Sequence, residues 1–188
     1  MEGGQLRSAV AFGNVARVRA VLQACATTAA GGGGGGGRSA PSALVSALDK
    51  HRRNALHIAC EREFIDEGAR VEMFRLLLQA AAAAADPDAV VNASDMMGFT
   101  PLHLLCANAV GGTERAVTVL LESGANPCAV TDGGRRPRDF TRRADVKATL
   151  AVAEEGRGQG RGDRQVARVS DKGAAGSAKN VGPRGECG

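Results

Sequence analysis

One stretch, Val91 to Asn126, limits what this 188-residue chain can become more than any other. Asp95-Met96-Met97-Gly98 has the composition of a turn, with Gly98 suited to positive φ. Thr100 stands at an N-cap position, and Pro101 follows as a first helical residue, where a missing N–H costs nothing. Leu102, Leu105 and Cys106 share one face of that helix. Val117, Leu120 and Leu121 make the apolar stripe of a second short helix, and Gly124 ends it. The order is turn, helix, reversal, helix, loop.

The frame recurs. Asn54-Ala55-Leu56-His57-Ile58-Ala59-Cys60 falls on Thr100 to Cys106 at an offset of 46 residues, from 54 to 100. The Thr100-Pro101-Leu102-His103 tetrapeptide, the Leu120-Leu121 pair and Gly124-Ala125-Asn126 resemble an ankyrin repeat. That unit is about 33 residues long. The excess falls around Arg62 to Arg70 and in the Ala80 to Ala85 run, which the high helix propensity of alanine makes an extension of the second helix. Downstream, Thr131 to Asp139 repeats the turn and the helix start, with Asp139 in place of the histidine. Upstream, Leu6, Ala9, Gly13, Val15, Val18, Val21 and Leu22 fit a degenerate first unit, and Val45 to Asp49 stands for Asn92 to Asp95.

The resemblance implies an all-α solenoid with projecting β-turns, made of two well-matched units between two weaker ones. The expected division is a degenerate unit at 1–30, a flexible glycine-rich insertion at 31–42, repeats with a C-terminal cap at 43–152, and a disordered Gly/Arg-rich tail at 153–188. Asn54, Leu56, His57, Gly98, Thr100, Pro101, Leu102, His103 and Gly124 are its framework residues. Arg52 stands where the family has Gly and Ala55 where it has Pro, which weakens the turn at Asp49 to Arg53.

Composition agrees with thin stacked layers. Hydrophobic residues make up 44% and lean on Ala, while aromatics are 3% with neither Trp nor Tyr. Such layers bury their surface against their neighbours rather than around a core of rings. The net charge of +4 is too mild for a dedicated nucleic-acid binder. Five scattered cysteines have no framework spacing and read as reduced thiols, which points to cytoplasm or nucleus. The N-terminus lacks the basic and apolar regions of a signal peptide, and no apolar run reaches the ~20 residues of a membrane span.

Seven consecutive glycines at 31–37 suggest a phosphate loop, but Arg38-Ser39 follows where Lys then Ser or Thr is needed, and no strand precedes. A flexible insertion explains them better. His57-x-x-Cys60 and His103-x-x-Cys106 together form a zinc-type His₂Cys₂ set. Stacked units lie ~10 Å apart, too far for bonds of about 2.0–2.3 Å. The resemblance commits each histidine to its own turn and puts a small core residue at each cysteine position. No metal, cofactor or catalytic set is therefore expected. The Arg157-Gly158-Gln159-Gly160-Arg161-Gly162 stretch is diluted with acid and has no aromatic to stack on a base.

The family's turns and first helices line a concave protein-binding surface. Carried over, the candidate contact residues are Lys50, His51 and Arg53 on one turn, Met96, Met97 and Phe99 on the next, and Asp132 and Arg135 on the last. Glu61, Arg62, Ala107 and Asn108 follow from the first helices. The expectation is a monomeric, non-catalytic scaffold for another protein, with nucleic acid unlikely and no membrane. The alternatives are a nucleic-acid-associated protein using its tail, or a substrate-recognition subunit of an enzyme complex.

Overall fold

The computed structural model describes residues 2–29, 40–62, 66–108 and 113–158. The glycine run at 31–37 and the chain beyond 158 lie outside the described residues. Ten helices and no strand are found among the described residues.

Eight helices form four antiparallel pairs: α1 (Glu2–Ala11) with α2 (Val15–Ala29), α4 (Ala55–Glu61) with α5 (Glu67–Ala82), α7 (Pro101–Ala107) with α8 (Thr113–Glu122), and α9 (Pro137–Phe140) with α10 (Ala144–Gly158). The first helices pack in one row, α1 on α4, α4 on α7, α7 on α9. The second helices make a parallel row of α2, α5, α8 and α10. Each layer contributes apolar side chains to one continuous core: Leu6, Val10 and Val18; Leu56, Phe74 and Leu77; Leu102, Val117 and Leu120; Val146 and Leu150. A single pair could not bury these faces alone, so stability comes from stacking.

The Ala80 to Ala85 run extends α5 only to Ala82. Asp86 then caps a further short helix, α6 (Pro87–Val91), by accepting the Ala89 N–H at 3.0 Å. Its counterpart is α3 (Pro41–Ser46), which begins inside the segment expected to be a flexible insertion. Pro41, Leu44 and Val45 correspond to Pro87, Val90 and Val91, with the four aliphatics buried. At the other end α10 continues to Gly158, into the segment expected to be a disordered tail.

One buried cation belongs to the second row. Arg70 on α5 is 2% exposed, and its Nη1 donates to the Thr113 hydroxyl at 3.1 Å, tying α5 to the start of α8.

Candidate functional site

Three fingers project from the ends of the first helices. In each, the first residue pairs with the fifth: Asp49 N–H donates to Arg53 C=O at 2.9 Å, Asp95 to Phe99 at 2.9 Å and Thr131 to Arg135 at 3.0 Å. The fourth residue donates back to the first, Arg52 to Asp49, Gly98 to Asp95 and Gly134 to Thr131. This geometry puts the fourth residue at positive φ: Arg52 at 61°, Gly98 at 79°, Gly134 at 72°. Arg52 therefore builds the same turn the glycines build, in a conformation that disfavours a side chain.

Aspartate at the first position stiffens two fingers from inside. Asp49 Oδ1 accepts the His51 and Arg53 N–H groups at 2.7 and 2.9 Å, and Asp95 Oδ1 accepts those of Met97 and Phe99 at 2.9 Å each. Burial by itself would raise Asp49; those amides and the Arg53 guanidinium outweigh it and hold the carboxyl below its ordinary value. Adjacent fingers are joined in register. Met96 N–H donates to His51 C=O, and Asp132 N–H to Met97 C=O, both at 3.2 Å.

The two framework histidines fasten the fingers to the helices. His57 and His103 occupy equivalent places in neighbouring layers, each fully buried. On each, Nδ1 accepts the N–H of the residue before its own helix, Asn54 at 3.2 Å and Thr100 at 3.1 Å. Nε2 reaches beyond its own turn: it donates to Phe99 C=O from His57 and to Arg135 C=O from His103, both at 3.1 Å. The histidine thus clamps the next layer as well as its own. Burial lowers both imidazoles below the ordinary histidine value, against the opposing pull of those carbonyls. Asp139, in the last layer, accepts its local Arg136 N–H at 2.8 Å and reaches no further layer among the described residues.

The cysteines between these histidines are inert by environment. Burial pushes the Cys60 thiol well up and the Cys106 thiol to about 12, so both stay protonated. Among the described residues no cluster of three His, Cys, Asp or Glu side chains could hold a metal ion.

Of the expected contact residues, Lys50, His51, Met96, Met97, Asp132 and Arg135 are exposed on the fingers, and Glu61, Arg62 and Ala107 at the ends of the first helices. Met96 and Met97 are 62% and 64% exposed. Three others are committed within the fold. Phe99 is half-buried, its ring centroid 6.0 Å from His103 and 5.3 Å from Phe140. Arg53 is half-buried between Asp49 and Glu61, at 3.0 and 2.8 Å. Asn108 is half-buried and donates through Nδ2 to the Glu61 and Cys60 carbonyls at 2.7 and 3.3 Å, closing the end of the preceding first helix. Sequence reasoning missed Phe12, 75% exposed at the reversal between α1 and α2, where its carbonyl accepts from Arg62 at 3.5 Å. Its place one residue before Gly13, off the apolar stripe of Leu6, Ala9 and Val10, was the available signal.

Fingers in register, paired helices stacked in two rows and a histidine clamp between layers define a helical repeat array. The family model for ankyrin repeats, in three copies, matches residues 6–131. The chain belongs to the ankyrin repeat family. No curated protein matches it. The match stops at the third finger, and α9 and α10 beyond it stack on α7 and α8 as a further layer. Ankyrin repeats generally mediate protein–protein interaction. None of the described helices is long and apolar enough to cross a membrane.

Proposed function

We propose that this chain is a non-catalytic adaptor that holds one partner protein against its finger edge and the adjoining ends of its first helices. The observation that carries this is the central finger. Its backbone is fixed by the Asp95 carboxylate and by hydrogen bonds to both neighbours, yet it presents Met96 and Met97 to solvent. A rigid backbone with adaptable apolar side chains suits an irregular protein surface, because little order has to be imposed on binding. A non-catalytic role fits the chemistry of the candidate nucleophiles: Cys60 and Cys106 are buried thiols held protonated, and His57 and His103 are engaged at both ring nitrogens.

The test compares the full chain with a variant carrying Met96→Ser and Met97→Ser, each used as bait for partner proteins. Both side chains are exposed, so the helical circular-dichroism signal should be unchanged and partner capture should fall. Capture that is undiminished in a folded variant would remove the finger edge from the binding surface.

A further inference from the structure

The charges on the fingers are not arranged at random. Across the three fingers and at Arg136, the helix cap that follows the last of them, the cations are Lys50, Arg52, Arg53, Arg135 and Arg136, and the carboxylates are Asp49, Asp95 and Asp132. Asp49 and Asp95 turn inward onto finger amides. Arg53 is spent on Asp49 and Glu61. What faces outward is Lys50 and Arg52 on one flank of the methionine pair, and Arg135 and Arg136 on the other, against the single carboxylate of Asp132. Arg135 also lies over the Phe140 ring at 5.1 Å, which holds its guanidinium at the edge.

Arg52 supplies a second, independent observation. At the equivalent positions the other fingers have Gly98 and Gly134, the residues that positive φ favours. Here the chain instead keeps an exposed arginine in a left-handed conformation, its φ at 61°. No ion pair engages it among the described residues. Backbone strain held at an exposed position points to a use for the side chain.

We propose that the finger edge recognises an acidic segment of the partner with one apolar residue at its centre, and that Arg52 is a specificity-determining residue for it. This rests on the finger edge being the partner-binding surface. The apolar residue lies on Met96 and Met97, and carboxylates on either side meet Lys50 and Arg52 or Arg135 and Arg136. Neighbouring layers are ~10 Å apart and an extended chain rises ~3.3 Å per residue, so each carboxylate stands about three residues from the apolar one.

The test pans a library of random displayed peptides against the full chain, then measures one selected peptide by fluorescence anisotropy. The expected selection has Asp or Glu about three residues to either side of an aliphatic or aromatic residue. Arg52→Gly should weaken that peptide about two- to fivefold, the scale of one exposed charge pair. The loss should shrink at high salt, and Arg52→Lys should retain most of the affinity. A purely structural role for Arg52 predicts the opposite, because glycine relaxes the turn and would leave binding intact. Selected peptides without acidic residues, or unchanged affinity in Arg52→Gly, overturn this inference. If those peptides still depend on Met96 and Met97, the finger edge remains the binding surface. Peptides indifferent to Met96→Ser/Met97→Ser, or no selected peptide at all, overturn both.

Discussion

The fourth finger position offers a graded test of the fold, because one backbone conformation occurs there three times with different surroundings. Placing a side chain in the left-handed region costs about 1–2 kcal/mol. Glycine gives back about 0.4–1 kcal/mol through the greater freedom of its unfolded chain. Arg52→Gly should therefore stabilise the protein by about 0.5–1 kcal/mol. Gly134→Ala introduces the same strain into open space, since nothing lies within 4 Å of the new Cβ, and should destabilise by about 1 kcal/mol. Gly98→Ala differs, because its Cβ would lie 2.7 Å from the backbone nitrogen of Asp132 and 3.0 Å from its Oδ1. The third finger must then move away, breaking the Asp132 N–H bond to Met97 C=O, and the cost rises to about 2–4 kcal/mol. Urea denaturation of the three variants reads the order directly, with the midpoint shifting at constant slope. In thermal melts each kcal/mol corresponds to about 2–4 °C. Equal losses for Gly98→Ala and Gly134→Ala would refute the in-register contact between fingers. A loss of stability in Arg52→Gly would refute the strain.

Three further outcomes follow from the same geometry. Burial lowers His57 and His103 in the folded state, so the unfolded chain binds more protons as pH falls below its ordinary histidine value of ~6.5. The stability these neutral rings give is present above that value and is lost below it, by up to ~1.4 kcal/mol per histidine per pH unit until the lowered folded value is reached. Urea midpoints at neutral and mildly acidic pH test this, and a flat profile would contradict it. Iodoacetamide followed by peptide mapping should label exposed Cys128 and spare Cys60 and Cys106; equal labelling would mean the layers open readily. Phe74→Ala removes a ring with no exposure from the second layer and should destabilise by about 3–5 kcal/mol in urea denaturation, whereas a loss under 1 kcal/mol would mean the layer is loosely packed.

The repeat was legible in the sequence because its signals are local. Thr100-Pro101-Leu102-His103 fixes a helix start by capping and by the fixed φ of proline, and those operate wherever the segment sits. What was not legible depends on the neighbouring layer. Phe99 looks like a tip residue until α9 arrives with Phe140 beside it. Arg53 looks free until the end of α4 brings Glu61 within 2.8 Å. Asn108 looks like surface until the carbonyls ending α4 are placed beside it. The matching of α3 with α6 was missed for a different reason. Pro41-Ser42-Ala43-Leu44-Val45 and Pro87-Asp88-Ala89-Val90-Val91 keep the 46-residue offset, but each follows a compositionally biased stretch, glycine in one case and alanine in the other, that masks so short a helix. Arg52 is legible in the sequence as a departure from the repeat. Its effect is on energy rather than shape, because four hydrogen bonds within the finger and one from the next finger overrule one unfavourable φ.

The most direct test of the finger edge observes the methionine methyls themselves. The chain has four methionines: Met73 is buried in the second layer, Met96 and Met97 are exposed on the central finger, and Met1 starts the chain. With ¹³C-methyl methionine in the full chain, addition of a selected peptide should shift the Met96 and Met97 resonances and leave Met73 in place. Saturable binding that leaves both finger methyls unmoved would contradict the account.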